Sequence, residues 1–188
     1  MDSLSRGTLL WCGEHWIAYL QRPGDLHDTG LVSLYHGYTS PVGTGTAAFV
    51  HIKGKGGLTA LYTDNRPFAE FVKKTQLPPA FPFDEDMPLI DAEFRRSENP
   101  LVNPTWKISA GGYVVDISWE SLQPPLVGPP TVNPNIVFTV LVFADQGHIE
   151  VNGIRVSGTP YLRSAWTKSL GRPMSSFCFA MAETMISD

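Results

Sequence analysis

The stretch Asn135-Ile-Val-Phe-Thr-Val-Leu-Val-Phe-Ala144, followed by Gly147-His-Ile-Glu-Val-Asn-Gly-Ile-Arg-Val-Ser157, decides the fold class. Its first half is apolar at odd and even positions alike, as in a central strand covered on both faces. At nine residues, the apolar run Ile136–Ala144 is far too short for a membrane helix, which needs about 20. Its second half is built around Asn152-Gly153, the pair that supplies the two positive φ angles of a type I′ turn, and so reads as a hairpin.

Working outward, further β-rich runs recur between turn signals. Upstream are Glu14–Leu20, Thr29–Tyr38, Gly45–Ile52, Gly57–Thr63, Met87–Arg95, Thr105–Ser109 and Gly112–Glu120. Downstream, Tyr161–Lys168 and Met174–Met185 are read as strands, with a C-terminal helix as the alternative for 174–186. One helix is expected at Asn65–Lys74. Asp64 or Asn65 can cap it, Pro67 suits its first turn, and Phe68, Phe71 and Val72 form one face. About ten short strands with turns every 8–12 residues predict an all-β, mainly antiparallel barrel or sandwich. No repeat or composition break divides residues 1–188, so one domain is expected.

The chain has 188 residues, 14 basic and 18 acidic, for a net charge of −4, and shows no Lys/Arg cluster. That argues against nucleic acid as a partner. Charged residues are 17%, below the usual ~25%, while hydrophobic ones reach 43%, which excludes a disordered or coiled-coil chain. The first residues lack the pattern of a secretory signal, and a cytoplasmic location is expected. Cys12 and Cys178 would bridge only if the first and last strands are neighbours; the alternative is two buried thiols.

Several motifs fail on inspection. Gly43-Thr-Gly45-Thr-Ala-Ala48 fits a loose dinucleotide pattern, but it runs into a strand where a helix N-terminus is required. No Walker loop and no nucleophile elbow is present. The five histidines show no i, i+2 or i, i+4 pairing, so neither metal nor another cofactor is expected.

Candidate site residues come from strand alternation, since side chains two apart share a face. His36 and Tyr38 share a face with Val32 and Leu34, which makes His36 a pocket candidate or else a hydrogen-bonded core histidine. Trp119 shares its face with Tyr113, Val115 and Ile117. Glu183, placed after Phe179 and Met181, reads as an inward carboxylic acid; the alternative is a rim residue paired with Arg163 or Lys168. His36, Glu183 and Arg163 are the candidate catalytic residues. Tyr38, Trp119, Trp166, Tyr161 and Phe179 are the candidate ligand-binding wall; the alternative for Trp119 and Trp166 is plain core.

The run Val151–Arg172, with Gly153, Gly158, Tyr161, Trp166 and Gly171, resembles the closing part of lipocalin-like domains in the hydroxyneurosporene synthase group. The resemblance implies a calycin-like barrel that prefers apolar small molecules, terpenoid- or polyketide-like. It also implies an activity class, since some relatives are hydratases or cyclases. That group usually carries two barrels, whereas this chain has length for one, so only architecture and ligand preference carry over. Three roles follow as expectations: a cofactor-independent lyase or isomerase, a hydrophobic-ligand carrier, or an interaction module. In the last, the proline-rich loops 78–82 and 124–130 dock a partner or a second copy in a homodimer.

Overall fold

The structure is a computed structural model that describes residues 7–54, 57–76, 87–128, 131–132 and 135–187. The proline-rich loop at 78–82 and the end of the one at 124–130 lie outside the described residues.

Ten strands of the described residues form a nearly closed barrel. They are β1 (Thr8–Gln21), β2 (Asp28–Thr39), β3 (Gly45–Ile52), β4 (Leu58–Thr63), β5 (Leu89–Asp91), β6 (Glu93–Arg96), β7 (Thr105–Ala110), β8 (Tyr113–Leu122), β9 (Ile136–Val151) and β10 (Phe177–Ser187). The order around the wall is β5-β4-β3-β2-β1-β10-β9-β8-β7-β6. Almost every strand therefore lies beside its neighbour in sequence, and the last strand lies beside the first. All these pairs are antiparallel except β4 with β5. β5 and β6 act as one bent segment: β5 follows β4, the Ala92 N–H donates to the Thr63 carbonyl (2.8 Å), and β6 continues along β7. This step from one edge to the other closes the wall where β4 and β7 face each other.

Helix α1 (Arg66–Thr75) starts as the sequence predicts. Asn65 accepts from the Phe68 N–H (3.3 Å), and Phe68, Ala69 and Val72 are buried. Gly37 and Gly45 let the helix press on the sheet, because a Cβ at either position would stand within 3 Å of Phe68.

Two layers of apolar side chains result. Inside the barrel, Trp16, Trp106, Trp119, Phe177 and Phe179 meet the aliphatic residues of β2, β3, β4, β7 and β8. Trp16 stacks on Phe179 at 4.1 Å and meets Trp119 edge-on at 5.0 Å between ring centres. Outside, one flank of the wall carries Trp11, Tyr35, Phe49, Phe143 and Cys178, covered by α1 and by the segment around Tyr161–Leu170. The expected double cover of β9 holds at Leu141–Ala144, where Val142 and Ala144 point in while Leu141 and Phe143 point out.

Two expectations are corrected. Residues 136–144 and 147–151 form one 16-residue strand, Ile136–Val151, rather than two separate runs. Tyr161–Lys168 is a strand only at Leu162–Arg163, after which come a 3-10 turn (Ser164–Trp166) and a second helix, α2 (Thr167–Leu170). Gly171, in the left-handed region at φ 73°, ends that helix. The strand reading of Met174–Met185 holds, with a break at Ser176, and the alternative of a C-terminal helix falls away. The hairpin at Asn152-Gly153 forms with φ values of 52° and 75°.

Both cysteines are free. β1 and β10 are indeed neighbours, but Cys12 stands opposite Thr184 while Cys178 stands opposite Ile17. That offset along the strands is on the order of 17 Å, beyond the ~7 Å limit of a disulfide. Burial raises the Cys178 thiol to about 12. Cys178 is therefore expected to stay unmodified by a thiol-reactive chromophore in native protein and to react once the chain is unfolded in urea.

Candidate functional site

The end of the barrel at the β2–β3 turn carries the main cluster of polar side chains. Glu14, His36 and Thr46 sit side by side across β1, β2 and β3, because Glu14 pairs with His36 and His36 with Thr46. Glu14 shares the inward face of Trp16, Ala18 and Leu20, and its side chain is only 3% exposed. Such a carboxylate needs partners, and it has three. Arg96 on β6 reaches both its oxygens at 2.5 Å, the Trp16 indole N–H donates at 2.9 Å, and the Tyr38 hydroxyl donates as well. Burial alone would raise the Glu14 carboxyl, but the donors outweigh it and hold it below the ordinary 4.5.

A bulge aims Tyr38. Gly13 pairs with Gly37 and Cys12 with Thr39, so Tyr38 is the extra residue of β2. Bulges re-aim side chains in this way. Burial and the Glu14 charge keep its phenol protonated above the ordinary range.

His36 stands at the centre. One ring nitrogen, Nδ1, is 2.9 Å from the Thr46 hydroxyl, and Nε2 has no protein partner among the described residues. Its ring tilts against Trp106 at 5.6 Å and Tyr38 at 5.2 Å. Burial, with a smaller push from Arg96, lowers its pKa below 6.5 despite Glu14 and Asp64, so it is neutral at pH 7. His36, Tyr38, Thr46, Asp64, Asn65 and Arg66 border an open cleft of about 880 Å³. His36, Thr46 and Asp64 also border an adjoining cleft of about 360 Å³ that reaches Phe94, Arg96 and Trp106. The charges here are largely matched: Arg66 holds Asp91 through two bonds of 2.8 and 2.9 Å, Arg96 holds Glu14, and Asp64 accepts from the Thr46 N–H at 2.6 Å.

The other sequence-predicted residues lie elsewhere. Trp119 and Phe179 are wholly buried inside the barrel, and the Trp119 indole donates to the Ile17 carbonyl (2.9 Å). Trp166 packs edge-on against Phe143 on the outer flank (5.3 Å). Tyr161 donates to Asp28 (2.7 Å), and Arg163 lies over the Tyr19 ring at 4.3 Å. Glu183 does not share a face with Phe179 and Met181. Gly13 pairs with Glu183 and His15 with Ala180, so β10 carries an extra residue at 181–182 and the alternation inverts beyond it. Glu183 therefore points outward, 3.7 Å from His15, and not to Arg163 or Lys168.

His15 in turn meets the Ser33 hydroxyl at 2.9 Å and stacks on Tyr35 at 4.0 Å. The order Ser33–His15–Glu183 looks like a nucleophile, a base and an orienting acid. Yet Ser33 is 1% exposed and Tyr35 lies over the ring, so the group serves as a polar patch within the covered flank. Among the described residues, no three His, Cys, Asp or Glu side chains converge in the manner of a metal site, and no helix is long and apolar enough to cross a membrane.

Sequence reasoning thus located His36 and Tyr38 together and missed Glu14, Arg96, Thr46 and Asp64. The missed signal is Glu14 itself, a carboxylate on the same alternating face as Trp16 and Leu20. No family model matches this chain, and neither a curated protein nor a solved structure does.

Proposed function

We propose that the barrel binds a small molecule at the His36 end, with His36 as the group that gives or takes a hydrogen bond or proton. The observation that carries this reading is the His36 imidazole, fixed through Nδ1 by Thr46 and standing where the two clefts meet. A cleft of this size and a few convergent polar groups are what small-molecule sites have in common. Among the described residues bordering the clefts, Arg66 and Arg96 are both ion-paired and leave no free cation for an anionic ligand, and hydroxyl, amide and imidazole groups supply both donors and acceptors. The ligand class that suits such a wall is neutral, with hydroxyl or carbonyl groups and a planar or apolar part for Trp106 and Tyr38. The middle of the barrel is occupied by Trp16, Trp119, Phe177 and Phe179, so the open end is the better place for a ligand than the interior the sequence suggested.

A lyase or isomerase role rests on the same residues. Neutral His36 can transfer a proton to or from a bound carbonyl compound, with Tyr38 held protonated beside it. Protein purified from its own host is expected to carry a non-covalent small-molecule adduct in native mass spectrometry. His36→Leu, correctly folded by circular dichroism, should lose that adduct. A bare mass for the wild-type protein, or an adduct that His36→Leu retains, would overturn the reading.

A further inference from the structure

The opposite end of the barrel offers a site of different chemistry. There the end of β3, the start of β4, the start of β8 and the hairpin after β9 surround a groove of about 380 Å³. Its floor is apolar. Leu58 belongs to the barrel core, and Ile52, Val151 and Val156 pack against that core while remaining partly open. Ile154, 73% exposed, and Tyr113, 42% exposed, stand at its edge.

Two cations, Lys53 and Arg155, flank this floor. Among the described residues neither is in an ion pair, although Arg66, Arg95, Arg96 and Lys107 each have a carboxylate within 4 Å. Nearby Asp28 is engaged by the Tyr161 hydroxyl, and Glu150, opposite Arg155 in the hairpin, lies 3.6 Å from His148. In a chain of net charge −4, two free cations beside an apolar floor are the complement of an anionic amphiphile.

We propose that this groove binds a single-chain carboxylate of medium length. The carboxylate sits between Lys53 and Arg155, and the alkyl chain lies on Ile52, Leu58, Val151 and Val156. The volume, near the lower end of the ~300–1,000 Å³ usual for small-molecule sites, selects medium over long chains. Each methylene that finds the floor should tighten binding by about fourfold, the factor that corresponds to ~0.8 kcal/mol per buried CH₂.

The test is calorimetric titration with octanoate, decanoate, decanol and decylammonium below their micellar concentrations. Decanoate is expected to bind more tightly than octanoate, and decylammonium not at all. Lys53→Glu/Arg155→Glu should weaken decanoate at least tenfold and leave decanol unchanged; both residues are exposed, so the fold should survive. Isoleucine methyl NMR shifts at Ile52 and Ile154 should report the ligand. Failure of decanoate to bind, equal binding by the charge-reversed variant, or shifts confined to the His36 end would overturn the proposal. So would recruitment to phosphatidylglycerol vesicles without decanoate binding, which would make the patch a membrane-contact surface. His36→Leu is expected to leave decanoate binding intact, so this proposal and the ligand reading of the other end stand or fall separately.

Discussion

Trp16→Ala is expected to cost about 3–5 kcal/mol of unfolding free energy, the range for removing a large aromatic from a packed interior. Trp16 is 0% exposed and lies between Phe179, Trp119 and Trp106 at ring-centre distances of 4.1, 5.0 and 6.1 Å. Those three rings belong to β10, β8 and β7, so one truncation loosens contacts from both halves of the wall. It also removes the indole N–H that Glu14 accepts. A domain stable by about 5–15 kcal/mol would lose a large part of its margin. Urea denaturation monitored by far-UV circular dichroism measures this directly. Leu162→Ala, at a site 72% exposed, is the control and should stay within about 0.5 kcal/mol of wild type. A loss below about 1 kcal/mol for Trp16→Ala would mean that the rings do not form one core.

Arg96→Met is expected to cost a similar amount, about 3–5 kcal/mol at neutral pH, because it strands a buried carboxylate. The Glu14 side chain is 3% exposed, while that of Arg96 is 29% exposed. The reciprocal Glu14→Gln should be milder, since water can still reach the guanidinium. The pH dependence separates the two states of Glu14. In the wild-type protein the folded carboxyl lies below its ordinary 4.5. The folded state therefore binds fewer protons than the unfolded one, and the stabilisation is present above 4.5 and lost as pH falls through the folded value. Without Arg96, burial becomes the dominant influence and raises the carboxyl. The contribution then has the opposite sign: it is present below 4.5 and lost as pH rises through the new value. Urea midpoints compared between pH 4 and pH 7 should show the variant's deficit growing with pH. A deficit independent of pH would remove Glu14 from the account.

The fold was legible where local chemistry decides it. Asn65 with Pro67, the Asn152-Gly153 turn and the alternation of Val115, Ile117 and Trp119 each act within a few residues, and each appears as expected. The errors arise where one inserted residue reverses a face. Glu183 follows Phe179 by an even number of positions, yet the bulge at 181–182 turns it to the other side. Nothing in Met181-Ala182 announces a bulge, since β10 acquires it from its pairing with β1 and β9. Tyr161–Lys168 failed differently: β-favouring side chains there meet no neighbouring strand beyond Arg163, and the chain takes a helical turn over Phe143. At the candidate site, His36 and Tyr38 were visible because they lie two apart on one strand. The Glu14–Arg96 pair joins residues 82 positions apart, and only barrel closure brings them together.

The pairing of the first strand with the last has a consequence for biosynthesis. Thr8 lies opposite Ser187, and the intervening strands follow one another around the wall in chain order. On the ribosome, β1 to β4 can associate as they emerge, but one side of β1 keeps its hydrogen-bonding groups unsatisfied until β10 is translated. That open edge, carrying Trp11, Trp16 and Tyr19, is an aggregation template for most of the synthesis time.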